Sequence, residues 1–147
     1  MATVLFRCIT CLGSGVLWVP LYVLGLLFLG EHHSRLILTL VLAELALLII
    51  VIILRYATRR ERPIPAAAPL LSPWNRYSFP SHHAMRVCMI ATLVGSRCPA
   101  WCPVFFAIAA AVGVSRICLS RHHVSDVLAG AALGIAVGTS AVFLTMD

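Results

Sequence analysis

The sequence predicts an all-α, polytopic membrane helix bundle of about five transmembrane helices, and three observations carry that prediction. Of the 147 residues, 61% are hydrophobic and only 11% are charged, with a mean hydropathy of +1.01. A soluble domain of this size has no core large enough to hide so much apolar surface. The apolar residues are gathered into stretches near the length that crosses the hydrocarbon as a helix, about 20 residues. Arginines, histidines and prolines cluster between those stretches. The whole chain, 1–147, reads as one membrane-embedded domain.

The first stretch runs from Cys8 to Gly30. With Arg7 ahead of it, it has the outline of a cleaved signal peptide, but its length suits a span and it is read as a retained helix. The second runs from Arg35 to Leu54, the third from His82 to Arg97, the fourth from Ala100 to Leu119 and the fifth from His123 to Thr145. The third is the shortest, and its polar start, Ser81-His82-His83, must lie at the membrane surface. Tight connections are expected from Gly30 to Ser34 and from Arg97 to Pro103, as between antiparallel neighbours. The segment from Arg55 to Pro80 is different, because Pro63, Pro65, Pro69, Pro73 and Pro80 forbid a continuous helix. Leu70, Leu71, Trp74 and Tyr77 within it are placed to rest at headgroup depth.

Every basic residue among the eleven is Arg, and the formal charge is +6. No polar basic face of the kind that binds nucleic acid accompanies that charge; anionic headgroups and phosphates, with the membrane lipids around them, are the partners it fits. Cys8, Cys11, Cys88, Cys98, Cys102 and Cys118 lie within or beside apolar runs, where a thiol behaves as a small hydrophobe, and their spacing carries no strong metal or redox signal. Glu44, mid-way along the second stretch, is read as an inward-facing structural group. It lies about 16 Å along a helix from Arg55, too far for direct participation at that end.

Counting crossings brings the polar clusters to one membrane face: the second helix ends at Arg55, the third begins at Ser81, the fourth ends near Arg116 and the fifth begins at His122. Fixed guanidinium groups beside imidazoles suit a phosphoryl group, since Arg binds phosphate oxygens through two parallel N–H donors and stays charged. The face holds few carboxylates, Asp126 and Glu61, so no metal and no cofactor is expected. Ser81 is placed as the N-cap of the third helix, whose free N–H groups and dipole favour an anion. His122 and Asp126, one helical turn apart, share a face that continues through Gly130, Gly134 and Gly138. Asp126 is expected to accept a hydrogen bond from one nitrogen of His122, leaving the other free to attack, with the glycine ridge packed closely on another helix.

Three blocks, Arg55-x6-Arg62-Pro63, then Pro80-Ser81-His82-His83, then Ser115-Arg116-x5-His122-x3-Asp126, resemble in order the signatures of the type 2 phosphatidic acid phosphatase (PAP2) family. The resemblance covers roughly Arg55 to Gly134, and the wording around Tyr77–Ser81 and Arg121–Asp126 is most similar to polyisoprenoid diphosphate phosphatases. It implies a PAP2/haloperoxidase-like core, with His122 as a nucleophile forming a phosphohistidine, Asp126 orienting it and His83 as general acid. Arg55, Arg62 and Arg116 would clamp the phosphate, helped by Ser81 and the amide of His82. His82 stands where the family usually has Gly. The family often has six spans where this chain shows five, and a partner copy in a homo-oligomer would shield the smaller bundle. Arg59, Arg60, Arg76, Arg86 and Arg121 are left as headgroup or substrate-surface contacts, and His123 as a neighbour of the nucleophile.

The leading expectation is therefore a metal-independent phosphatase acting on a polyprenyl diphosphate or related lipid phosphate. Beside it stand a glycerophospholipid phosphatase for phosphatidate or phosphatidylglycerol phosphate, a non-catalytic lipid-phosphate binding or transport protein, a haloperoxidase and a metal-dependent hydrolase. The arginine count would place the active face in the cytoplasm; the resemblance favours the extracytoplasmic face of a bacterial cytoplasmic membrane, and that side is preferred.

Overall fold

The apolar stretches fold into α1 (Ala2–Cys11), α2 (Gly15–Phe28), α3 (Gly30–Thr58), α4 (His82–Arg97), α5 (Cys102–Cys118) and α6 (Val124–Leu144). They are seen in a computed structural model that describes residues 2–65 and 73–145. Leu70 and Leu71, expected at the interface, lie outside the described residues. Thr3–Phe28, His33–Thr58, Pro99–Cys118 and Val124–Leu144 are each long and apolar enough to cross a membrane.

The first stretch departs from expectation. It is broken at Leu12–Ser14, where α1 turns away and packs on α5 while α2 packs on α3. Gly13 permits the break to sit against the bundle, since a Cβ there would lie 2.8 Å from Val112 Cγ1 and 3.1 Å from His83 Cβ. Ile9 of α1 joins the apolar cluster of Val87, Cys88, Ala109 and Val112. The expected loop from Gly30 to Ser34 is also replaced: α2 and α3 meet at Leu29–Gly30, with Gly30 at φ +65° supplying a turn that a side chain would resist. α3 runs beyond the expected Leu54 to Thr58 and stops where Arg59 turns left-handed and donates its N–H to Arg55 O at 2.9 Å.

α3 shows how one helix serves two solvents. Leu40, Ala43, Leu47 and Val51 are buried in the core, while Leu38, Leu42, Leu45, Ile49 and Ile53 are exposed on the outward stripe, where lipid would meet them. α4 is the shortest of the spanning helices expected and carries His82, His83, Arg86 and Arg97, yet Ala84 through Ala91 are all buried. Its neighbours are α3, α5 and α6. A short polar helix is stable at membrane depth because protein, not lipid, surrounds it.

The closest packing is between α4 and α6, along the predicted glycine ridge. A Cβ at Gly130 would fall 2.6 Å from Ser81 O, at Gly134 2.1 Å from Met85 O, and at Gly138 2.9 Å from Thr92 Cβ. Only glycine lets the α6 backbone approach the α4 carbonyls so closely. At the far end Arg97 Nη2 donates to Thr145 O at 3.0 Å, so the same two helices are tied at both ends.

Among its described residues the proline-rich connection is non-helical apart from a short 3₁₀ turn at Pro73–Arg76. Glu61 pairs with Tyr77 in an isolated antiparallel bridge, and Ser78 donates its N–H to Arg60 O at 2.8 Å and its hydroxyl to Glu61 O at 2.9 Å. These bonds lock residues 60–62 beside 75–78, at the mouth of the bundle. Trp74 and Tyr77 are half-buried there.

Candidate active site

The ends of α3, α4 and α5, with the loop before α6, enclose a cavity of about 360 Å³ lined by Gly15, Arg55, Arg62, Asn75, His82, His83, Arg86, Arg116, Arg121 and His122. Six of the eight residues singled out from the sequence, Arg55, Arg62, His82, His83, Arg116 and His122, thus converge on one space. Ser81 and Asp126 are wholly buried and stand outside that lining.

His122 is 2% exposed, and its Nδ1 lies 2.8 Å from the carbonyl of Ser78. A carbonyl can only accept, so Nδ1 carries the proton and Nε2 presents its lone pair. Nε2 lies 3.3 Å from Arg62 Nη1, a donor. Burial, seconded by Arg62, Arg116 and Arg55, pushes the imidazole down to about 4 against the opposing pull of Asp126. A neutral ring with one bare nitrogen facing guanidinium groups is the form a nucleophile requires.

Here the expected geometry is corrected. Asp126 Oδ2 is 3.8 Å from His122 Nδ1, too far for a hydrogen bond. It accepts instead from the His123 N–H at 2.9 Å and lies 3.3 Å from His123 Nδ1, while Oδ1 accepts from Arg60 Nη1 at 2.8 Å. The carboxylate caps α6 and pairs with Arg60, so the Ser78 carbonyl is what orients His122. Arg60, read as a surface contact, is in fact bound to Asp126 and Ser125.

The arginines are pre-set by the backbone around them. Arg55 is 2% exposed and donates to Asn75 Oδ1 and, at 3.4 Å, to Pro80 O. Arg62 donates from Nε to Asn75 O and from Nη1 to Arg121 O, both at 2.9 Å. Burial, with Arg121 nearby and Asp126 opposing, lowers the Arg62 pKa, which costs it none of its charge at neutral pH. Arg116 reaches across to Thr10 Oγ1 at 2.9 Å. Buried Arg55 Nε, Arg116 Nε and Ser81 Oγ have no partner among the described residues. Unpartnered buried donors cost free energy unless something fills the space, and an oxyanion supplies the acceptors they lack. Ser81 does occupy the N-cap position of α4, but its hydroxyl makes no capping bond.

Arg86 is the second correction, and its partner is the inward-facing Glu44. Arg86 is 6% exposed, not a headgroup contact: Nε donates to Glu44 Oε2 at 2.9 Å, Nη2 to Oε1, and Nη1 to Gly13 O at 2.7 Å. His82 Nε2 is 3.3 Å from Glu44 Oε1. Glu44 therefore reaches the cavity wall through its partners, because long side chains from the first turns of α4 extend down to it. Asn75, Thr10 and Gly13 carried no motif signal, and Ser78 belonged to a motif stretch without a role in it; each acts on a residue distant in sequence, and no spacing rule links them. Arg121 lines the cavity, as a substrate-surface contact should, whereas Arg59 turns back to Tyr56 O and Arg76 stacks over Tyr77.

Fold and site together define an integral-membrane helix bundle with a cationic, imidazole-lined cavity at one end. The PAP2 superfamily model matches residues 35–146, and the chain belongs to that superfamily. It is 33% identical over 128 residues to the decaprenylphosphoryl-5-phosphoribose phosphatase of Mycobacterium tuberculosis, covering 87% of this chain and 69% of that protein. It is 40% identical over 88 residues to the lipid A 1-phosphatase of Porphyromonas gingivalis, spanning 57% of this chain but 18% of that longer protein. The crystal structure of Aquifex aeolicus LpxE superposes with a TM-score of 0.79 at 27% identity over 97% of this chain and 86% of that one. That of the transmembrane PAP2-type phosphatidylglycerolphosphate phosphatase of Bacillus subtilis gives 0.77 at 25% identity over 99% and 77%.

Proposed function

We propose that the chain hydrolyses a polyprenyl diphosphate or related lipid phosphate through a phosphohistidine on His122. The observation that carries this reading is the bare Nε2 of a neutral, buried His122 among Arg55, Arg62 and Arg116. The guanidinium groups hold the phosphoryl oxygens and offset the charge that spreads over them in the transition state. His122 Nε2 attacks phosphorus as the bond to the leaving oxygen breaks, and Nδ1–H remains on the Ser78 carbonyl. His83, on the cavity wall, protonates the leaving oxygen and then takes a proton from the water that cleaves the phosphohistidine. No step calls on a metal. Asp126 acts as a positioning residue, holding His123 and the start of α6 beneath the nucleophile.

The bacterial relatives support a bacterial cytoplasmic membrane, and the family resemblance an extracytoplasmic active site. The likeness to the B. subtilis enzyme over nearly the whole chain favours a second reading, a glycerophospholipid phosphatase, on the same chemistry.

The test is phosphate release by the purified protein in detergent with EDTA, on prenyl diphosphate, phosphatidate and phosphatidylglycerol phosphate. Release is expected to survive chelation and to fall by about 10⁴-fold or more in His122→Ala, the loss typical of a removed covalent nucleophile. Release unchanged in that variant would refute the mechanism, and the ranking of lipids decides between the two readings.

A further inference from the structure

Arg116 and Arg121 also line a second cavity. It measures about 350 Å³ and is lined by Arg7, Thr10, Ile64, Arg116, Leu119 and Arg121. Its lining holds three arginines and a hydroxyl and no carboxylate. Arg116 and Arg121 line both this cavity and the one beside His122, so the two spaces share a cationic wall. Arg116 is 9% exposed, and its Nε is buried without a partner among the described residues. Its Nη1 is turned to Thr10 of α1.

A single phosphoryl group at His122 would be covered by Arg55, Arg62 and Arg116. A phosphate monoester carries about −1.5 to −2 at neutral pH, and those three cations already more than offset it. Arg121 and Arg7 then have no anion to serve, although three like charges around one space repel and are tolerated best when a ligand neutralises them. The break at Leu12–Ser14 explains how Arg7 comes to be there: it folds α1 onto α5 and carries Arg7 and Thr10 to the end of the bundle that holds the active site.

We infer that this second cavity is an anion subsite for the inner phosphate of a lipid diphosphate, with Arg7 and Arg121 as specificity-determining residues and Arg116 shared between the two phosphates. The inference rests on the phosphohistidine reading above and narrows its substrate class from lipid phosphates to diphosphates. His122 Nε2 bonds to the outer phosphorus while the bond from that phosphorus to the bridging oxygen breaks. The electron pair stays on the bridging oxygen, which takes the proton from His83 and leaves as part of the lipid monophosphate, while the second cavity's guanidinium groups hold the inner phosphate. Water then releases inorganic phosphate from His122 and restores the imidazole.

The experiment measures kcat/KM for a prenyl diphosphate and the matching prenyl monophosphate in the full chain, Arg7→Gln, Arg121→Gln and Arg7→Lys. The ratio of diphosphate to monophosphate is expected to fall about tenfold in each Gln variant, the size of one lost charge-assisted hydrogen bond, and to recover in Arg7→Lys. Inorganic diphosphate is expected to lose its advantage over inorganic phosphate as a competitive inhibitor in the same variants. An equal loss on both lipids, or an unchanged ratio, overturns the inference. Failure of every lipid to be cleaved by the unaltered chain instead overturns the function on which it rests. Because Arg7 is an exposed side chain on a terminal helix, its substitution leaves the core packing untouched.

Discussion

Two carboxylates stand beside this cavity, each ringed by histidine and arginine, and they are built in opposite ways. The Asp126 carboxylate is one turn from His122 and next to His123, so its surroundings are mostly local; among the described residues Arg60 is the side chain that comes to it from afar. Glu44 binds Arg86 and approaches His82, both some forty positions away in sequence, and through Arg86 it reaches the carbonyl of Gly13. The first cluster closes the end of one helix. The second joins α3, α4 and the break between α1 and α2. Asp126 thus governs where the loop that carries His122 sits, whereas Glu44 governs whether three elements stay together at the cavity wall.

The sharpest way to break that distinction is to remove the Glu44 carboxylate. Glu44→Ala leaves the Arg86 guanidinium buried with only the Gly13 carbonyl, and the expected destabilisation is about 3–5 kcal/mol. Thermal unfolding in detergent measures it. The double change Glu44→Leu with Arg86→Met removes both charges and is expected to recover most of the loss, since replacing a buried pair by apolar groups is often neutral. A double variant no more stable than Glu44→Ala would show that the bond to Gly13, not the ion pair, holds the elements.

Asp126→Asn probes the other cluster and separates orientation from support. If Asp126 held the His122 tautomer directly, the change would cost activity by about 10⁴-fold, as in a serine protease triad. With Nδ1 held by Ser78 at 2.8 Å and Asp126 at 3.8 Å, the expected loss is about 10²-fold, from slackening of the α6 cap and the Arg60 pair. Steady-state kcat decides between the two figures, and a loss near 10⁴ would return Asp126 to the role that the motif assigns it.

How much of this was legible beforehand follows from the same contrast. Periodicity and helix-end chemistry located the membrane helices, the end where the polar residues gather and the glycine ridge, because each signal is confined to one stretch of chain. The break at Gly13 was not legible, since Leu12-Gly13-Ser14 sits in an apolar run whose hydropathy alone continues a span. Asn75 carries Arg55 and Arg62 together, yet nothing local distinguishes it from a turn residue in a proline-rich loop. Ser78 acts through its carbonyl, which every residue has. Glu44 was visible as a costly polar group within a span, but Arg86 read as a surface contact, and their pairing needed α3 and α4 to be placed side by side.

The smallest effect tests the electrostatics of His122 itself. Its pKa, ordinarily 6.5, is pushed down to about 4 by burial and then by Arg62, Arg116 and Arg55. A group so depressed stays neutral from high pH down to that value, and its nucleophilicity is lost only as pH falls through it. Inactivation by a histidine-acylating reagent, followed without substrate so that phosphate ionisation does not intrude, is expected to proceed at full rate above about pH 5 and to halve near 4. Arg62→Gln removes the largest of the three opposing charges and is expected to move the midpoint upward by up to about one unit, since a charge that close contributes on that order. A wild-type midpoint near 6.5 would mean that water and counter-ions reach His122 freely, and that the arginines around it act on the bound phosphate alone.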